Sequence, residues 1–139
     1  VPPMPRLRIV AAANALVAVL LASVAMAQDA APVAPPAPPP AYDEQLLRLS
    51  EILGAIHYLR PLCGREDEKD AWRAEMSALI EAEQPDAVRR ARMVDSFNRG
   101  YEGFHSVYRT CTAAASESAD RYLREGAKIA ADITVRYGK

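Results

Sequence analysis

Two cysteines, Cys63 and Cys111, are the only thiols in this sequence of 139 residues and its first candidates for chemistry. Such a pair forms either a structural disulfide or a redox centre. Thiol exchange uses two cysteines separated by two residues at a helix start, and this motif is absent because Cys63 and Cys111 are far apart in the chain. We therefore expect a disulfide if the chain is exported to an oxidising compartment.

Two histidines, His57 and His105, are the other candidates, for a metal or a small-molecule ligand. Each flanks an apolar stripe and follows or precedes an aromatic residue. Neither lies in a spacing pattern typical of zinc or of covalently attached haem. A ligand site would require His57, Tyr58 and His105 to converge in the fold. The alternative is that both histidines only border a helix interface.

The sequence contains no recognisable catalytic constellation. It has no glycine-rich phosphate loop, no Gly-x-Ser-x-Gly motif and no acid pair in a known frame. The acidic residues at 66–70 lack the alternating ligands and the central glycine of a calcium loop. We predict a protein that is not an enzyme and that uses no cofactor and no metal.

The N-terminal 27 residues have the pattern of a secretory signal peptide. Arg6 and Arg8 precede an apolar run of about 16 residues, which ends in Ala25-Met26-Ala27, a small-x-small cleavage pattern. A transmembrane anchor is the alternative, but a spanning helix needs about 20 apolar residues. We predict cleavage after Ala27, a periplasmic location and no stable membrane span in the mature chain.

Residues 28–41 are predicted to be a linker, because prolines dominate the stretch APVAPPAPPPA. Proline removes backbone donors and fixes φ, which favours an extended polyproline II spacer. A ligand for an aromatic groove is the alternative, although no basic anchor flanks the prolines. Residues 42–139 then form the folded domain. Without Arg6 and Arg8 the chain carries 15 basic and 18 acidic side chains, a charge of −3 that argues against nucleic acid as a partner.

Apolar residues at helical spacing predict an all-α domain, a small bundle of three or four helices, and no strand pattern is found. The first helix has Asp43 as N-cap and runs to about Arg60, and Pro61 and Gly64 are predicted to end it. The later helices are predicted at about 67–82, 86–111 and 113–137. The apolar stripe changes its register between the last two predicted helices. Residues 86–137 can therefore form either one bent helix or two separate helices. A bend at 112–116 is favoured.

The third predicted helix carries an aromatic seam, whose members are Val94, Phe97, Tyr101, Phe104, Tyr108 and Cys111. Gly100 and Gly103 lie inside this seam, where each costs about 1 kcal/mol relative to Ala unless another element packs over it. A disulfide between Cys63 and Cys111 would join the first helix to the end of the seam. Closing that loop would stabilise the fold by about 4 kcal/mol in the chain-entropy model.

Three tyrosines and three arginines form the candidate interaction face. Aromatic side chains anchor many interfaces, and this favours any exposed part of Tyr101, Tyr108 and Tyr122. The arginines are spaced by 3 and 7 residues, at Arg89, Arg92 and Arg99, and could bind a partner. The alternative is that they pair with the acidic helix before them.

Several motifs together resemble an uncharacterised family of small exported alphaproteobacterial proteins. The motifs are Phe97-Asn98-Arg99-Gly100-Tyr101 followed by Phe104, Tyr108 and Cys111-Thr112, together with His57-Tyr58-Leu59-Arg60 before Cys63-Gly64, Trp72-Arg73, Arg121-Tyr122 and Arg136-Tyr137. The resemblance covers nearly all of residues 44–137. It implies a cell-envelope setting and a helical domain compatible with a disulfide, and it carries no known activity.

We therefore expect a periplasmic structural or protein-interaction module of the cell envelope, with an envelope protein as its partner. The alternative hypothesis is a periplasmic protein that binds a small molecule or metal through His57, Tyr58 and His105.

Overall fold

The computed structural model of the protein describes residue 35 and residues 37–138. The predicted signal peptide and most of the predicted linker lie outside these residues. In the described part the chain forms four α-helices and no strand, which confirms the prediction of an all-α fold. No helix in that part combines the length and the hydropathy that crossing a bilayer would require.

The helices follow one another with short connections. Their bounds are α1 Asp43–Leu62, α2 Ala71–Glu83, α3 Ala87–His105 and α4 Ala113–Tyr137, with a 3₁₀ turn at Glu66–Glu68 between α1 and α2.

Helix α1 is the centre of the domain, because apolar residues cover most of its circumference. It packs most extensively against α3, then α4, then α2. Its buried residues join those of the other helices in the main core, which comprises Ile52, Leu53, Ile56, Met76, Ile80, Met93 and Phe97. A smaller cluster of Leu59, Ala115 and Ala119 joins α1 to the start of α4. The fold therefore resembles three helices placed around a fourth.

Two glycines allow α1 and α3 to cross in backbone contact. A Cβ at Gly54 would lie 2.7 Å from the carbonyl carbon of Phe97, and a Cβ at Gly100 would lie 2.8 Å from that of Glu51. Nothing lies within 4 Å of a Cβ at Gly103. Glycine lowers helix stability. The close crossing explains the glycines at 54 and 100, whereas it does not explain Gly103.

The prediction for the start of α1 was wrong. Asp43 is the first helical residue and Tyr42 the N-cap, and the Asp43 side chain bonds to α3 instead of capping α1. Pro61 lies within the last turn and does not end the helix. The end comes at Gly64, with φ of 93°, where Arg65 N–H donates to the Arg60 carbonyl. Of the two residues predicted to end the helix, Gly64 does so in the left-handed conformation and Pro61 does not.

The prediction that the third helix extends to Cys111 was also wrong. Helix α3 ends at His105, and residues 106–112 form a loop before α4, whose N-cap is Thr112. The region 86–137 is thus two helices, not one bent helix. The loop is held back against α1 by the Tyr58 hydroxyl, which donates to the Tyr108 carbonyl. Tyr108 and Cys111 consequently leave the helical seam.

The disulfide between Cys63 and Cys111 is confirmed, with the two Cα atoms 4.9 Å apart. Cys63 is the C-cap of α1, and Cys111 is exposed in the α3–α4 loop. The bond therefore fixes this loop to the end of α1, and not the end of α3 as the sequence predicted.

Candidate functional site

An apolar groove lies open between α2 and α4 in the described domain, with α1 as its floor. Both α2 and α4 pack on α1, but they make almost no contact with each other. The groove has a volume of about 610 Å³, within the usual range for binding clefts. The residues that line it are Leu49, Ile52, Leu53, Ile56, Glu68, Ala71, Trp72, Glu75, Ala78, Leu79, Ala82, Tyr122, Leu123, Gly126, Ala127 and Ala130.

Small residues form much of both walls of this groove. On α2 they are Ala71, Ala78 and Ala82, and on α4 they follow from Gly126 onwards. Small side chains let another backbone come close, because little side-chain volume separates it from the helix. The floor is made of larger apolar residues of α1, such as Leu53 and Ile56, which belong to the main core.

Glu68 fixes the end of the groove where α2 begins. Its carboxylate accepts hydrogen bonds from Arg60 at 2.8 and 2.5 Å and from the Trp72 indole N–H at 2.9 Å, and Arg65 lies 2.8 Å away. The hydrogen bond from Arg60 holds the pKa of Glu68 below its usual range. The sequence predicted a helix from Asp67, but these bonds hold Glu66–Glu68 in a 3₁₀ turn.

The second feature is an aromatic pocket, lined on one side by His57, Tyr58 and Tyr101 and on the other by the charged residues of the 3₁₀ turn and α2. Its volume is about 470 Å³. Tyr101 lies at the centre of the aromatic wall, with ring centroids 5.6 Å from His57, 5.3 Å from Tyr58 and 5.6 Å from His105. These separations are typical of favourable aromatic pairs.

His57 lies at the buried end of this wall. Burial lowers the pKa of His57, and the neighbouring Arg73 guanidinium lowers it further, while Asp70 acts in the opposite direction. The ring nitrogen Nδ1 is buried and has no hydrogen-bond partner in the described structure. Since both nitrogens of a charged imidazole are donors, protonation would bury an N–H without an acceptor. Burial therefore favours the neutral form of His57.

Four charged side chains form the opposite wall of the aromatic pocket: Glu66, Lys69, Asp70 and Arg73. They come from the 3₁₀ turn, from the junction that follows it and from the first turn of α2. Among residues 37–138, none of the four makes a salt bridge, either with one another or with any other side chain. The pocket thus presents two carboxylates and two cations beside an aromatic surface.

A family model described as "Protein of unknown function (DUF2385)" matches residues 40–137 of this chain. The chain belongs to this family. The match covers all four helices and both cysteines of the DUF2385 domain. No curated protein and no solved structure matches the chain.

The tyrosines predicted as an interaction face lie in three different places in the DUF2385 domain. Tyr101 is in the aromatic pocket, and Tyr122 lines the apolar groove, with the Arg48 guanidinium 5.1 Å from its ring centroid. Tyr108 stacks on Phe104 at 6.2 Å, in the loop held by the disulfide. Tyr122 also packs against Phe104, with ring centroids 5.2 Å apart, so Phe104 joins Tyr108 to Tyr122, whereas Tyr101 belongs to the aromatic pocket.

The predicted arginine stripe is largely engaged within the domain. Arg89 and Arg92 donate to the buried carboxylate of Asp43, at 3.0 and 3.1 Å, and Arg89 also lies 3.7 Å from Glu83. Arg99 is exposed and donates to the Ser96 hydroxyl. The main partner of the arginines is therefore the start of α1, with only one acid of α2 nearby.

The predicted ligand residues do converge. Tyr58 packs edge-on against His105 at 5.2 Å, and both contact Tyr101 together with His57. His105 does not line the pocket itself, and its Nδ1 lies 3.5 Å from Glu102. Among the residues described, no group of three or more metal-ligating side chains is close enough to hold a metal ion.

Sequence reasoning missed the apolar groove and the role of Asp43. The signal for the groove was present in α2, where Ala71, Ala78 and Ala82 add an apolar strip beside the face of Met76 and Ile80. A helix that is apolar on more than one face needs more than one partner. No local signal connected Asp43 with the arginines, because 46 residues separate Asp43 from Arg89.

Proposed function

We propose that this domain is an exported, non-catalytic protein-interaction module of the cell envelope, and that its docking surface is the apolar groove. The occupant that we propose is an amphipathic α-helix of a partner envelope protein. The observation that carries the proposal is the gap between α2 and α4. Helices α2, α3 and α4 each cover part of the surface of α1, but the apolar strip of α1 between α2 and α4 stays open.

The dimensions of the groove suit a helix. Helix α2 has 13 residues, and at 1.5 Å per residue the wall is about 20 Å long, which corresponds to three to four turns of a partner helix. Packed helices lie about 8–10 Å apart, and small residues at the contact allow the shorter separations. A fourth helix around α1 would bury the floor of the groove as the core of a bundle.

The charges at the groove favour a partner helix with a basic edge. Glu68 and Glu75 are the charged residues among those that line it. Glu68 is already neutralised by Arg60 and Arg65, whereas Glu75 is exposed and has no salt-bridge partner in the described domain. A lysine or arginine beside the apolar stripe of the partner would pair with Glu75 and fix the register of the helix.

Two features support the envelope location. The N-terminal sequence has the signal-peptide pattern described above, and the Cys63–Cys111 disulfide is the kind of bond that persists in oxidising compartments such as the periplasm. Of the tyrosines proposed from the sequence, Tyr122 lies at the groove and is the first contact candidate.

The test is site-specific photocrosslinking in intact cells. A photoreactive side chain replaces Ala78 on α2 or Ala127 on α4, both exposed groove residues, and the crosslinked peptide is identified by mass spectrometry. The matched control is Ala91, an exposed alanine of α3 that does not line the groove. We expect both groove positions to crosslink to one amphipathic helical segment with a basic edge, and Ala91 not to do so.

A synthetic peptide of that segment would then be titrated against the purified protein. We expect Ala78→Glu to weaken binding by at least tenfold, because it places a charge in the apolar groove, and Ala91→Glu to leave binding unchanged. Crosslinks from Ala78 and Ala127 to lipid, to a second copy of this chain, or to the same products as Ala91 would each overturn the proposed occupant.

A further inference from the structure

We propose that the aromatic pocket is a second binding site, which takes a small zwitterion bearing an aromatic ring, of the class of the free aromatic amino acids. This site is separate from the apolar groove and does not depend on the proposed function. The charges, the aromatic wall and the volume of the pocket all suit such a ligand.

The charged wall carries charges of both signs. Glu66 lies in the 3₁₀ turn, Lys69 and Asp70 lie at the junction that follows it, and Arg73 lies in the first turn of α2. All four side chains are exposed. A wall of this kind matches a ligand that carries both an ammonium and a carboxylate group.

The pocket as a whole is balanced in charge. Its two acids and two bases line the same cavity, and none of the four makes a salt bridge within residues 37–138. His57 adds no charge when it is neutral. A ligand with a net charge would leave one pair unmatched, whereas a zwitterion matches both.

The aromatic wall supplies the place for the ring of the ligand. Tyr58 and Tyr101 are half-buried and set edge-on to each other at an interplanar angle of 80°, and Pro61 extends their surface along α1. An aromatic ring can pack against such a surface by stacking or by an edge contact. The volume of about 470 Å³ is within the range of small-molecule sites.

The test is a titration of the protein purified from the full-length chain with free L-phenylalanine, followed by calorimetry and by the NMR signals of His57 and Tyr101. Three probes each lack one feature: 3-phenylpropionate has no ammonium group, phenethylamine no carboxylate, and L-alanine no ring. We expect saturable binding of phenylalanine and at least fivefold weaker binding of each probe.

Two conservative variants test the charged wall. We expect Lys69→Gln and Asp70→Asn each to weaken phenylalanine binding by about fivefold, because each removes one charge that the zwitterion contacts. Both residues are exposed, so the fold should be retained, as circular dichroism would check. The matched controls are Lys128→Gln and Asp95→Asn, which do not line the pocket and should bind as the wild type does.

Ala78→Glu, the variant of the apolar groove, should also bind phenylalanine normally, which separates this site from the proposed function. The inference is overturned if phenylalanine does not bind saturably, if 3-phenylpropionate or phenethylamine binds equally well, or if Lys69→Gln and Asp70→Asn bind as the controls do.

Discussion

The crossing of α1 and α3 predicts opposite effects for the same substitution at two neighbouring glycines. Gly100 and Gly103 both lie inside α3, where alanine is favoured over glycine by about 1 kcal/mol. At Gly103 nothing lies within 4 Å of an added Cβ. Gly103→Ala should therefore raise the free energy of unfolding by about 1 kcal/mol and the melting temperature by about 4–8 °C.

Gly100→Ala should lower the free energy of unfolding. The added Cβ would lie 2.8 Å from the Glu51 carbonyl carbon, 2.9 Å from the backbone nitrogen of Ala55 and nearer still to the Glu51 carbonyl oxygen. These are backbone atoms, so no rotamer change relieves the overlap. The helices must separate by about 1 Å, and gaps of this size forfeit roughly a quarter to a half of the dispersion energy between the facing atoms.

Overpacking of a core typically costs about 1–3 kcal/mol, and the α1–α3 contact is the most extensive in the domain. After the gain in helix propensity, we expect a net loss of about 2 kcal/mol for Gly100→Ala, and thus a difference of about 3 kcal/mol from Gly103→Ala. Gly54→Ala should behave like Gly100→Ala. The double variant Gly54→Ala/Gly100→Ala should cost less than the sum, because one separation relieves both overlaps.

The assay is urea unfolding, followed by the fluorescence of Trp72, the single tryptophan, and by circular dichroism. The slope of the transition should stay unchanged, so that the midpoint reports stability. Gly100→Ala at or above wild-type stability would refute the backbone contact between α1 and α3. A destabilised Gly103→Ala would refute the open position of that residue.

Three further predictions concern the disulfide, a buried acid and a histidine. Cys63→Ala/Cys111→Ala should lower the free energy of unfolding by about 4 kcal/mol, since the bond closes a loop with a sequence separation of 48, and urea unfolding of the wild type with a reductant should give the same loss. Asp43→Ala should cost about 2–3 kcal/mol in the same assay, because it removes the buried carboxylate that pairs the first turn of α1 with two arginines of α3, and a loss below 1 kcal/mol would contradict this role. Burial lowers the pKa of His57 below 6.5 in the folded protein, so His57 is protonated at a higher pH in the unfolded chain than in the folded one. His57 therefore leaves the free energy of unfolding unaffected above about pH 6.5 and lowers it as the pH falls towards the folded pKa. His57→Gln should therefore flatten the fall in the urea midpoint between about pH 7.5 and pH 5.5, and an unchanged pH profile would show that His57 is not responsible.

The two proposed sites make different demands on the fold. The apolar groove needs α2 and α4 to stay apart on α1, and the network around Glu68 fixes α2 there through Arg60 and Trp72. The aromatic pocket needs the crossing of α1 and α3, which brings Tyr101 against His57 and Tyr58. Gly54→Ala and Gly100→Ala should therefore disturb the pocket more than the groove.

The amino-acid sequence by itself determined the helices and their approximate order. Apolar spacing predicted the all-α fold and a fourth helix at about 113–137, as the structure has it. The pairing of Cys63 with Cys111 could be predicted because only one pair of cysteines exists and a disulfide was expected on export. These inferences need information only from residues close in sequence or from composition.

The tertiary structure alone decided how the helices meet. Gly100 and Gly103 look alike in the sequence, yet only one faces α1. The loop that follows the end of α3 at His105 contacts α1 through Tyr58. Asp43 was predicted to cap α1, but its side chain instead accepts hydrogen bonds from arginines 46 and 49 residues away in the sequence. The groove exists because α2 and α4 pack on α1 without closing on each other. The periodicity of a helix shows only which of its faces is apolar. It cannot predict the distance between two helices, and the groove is set by that distance.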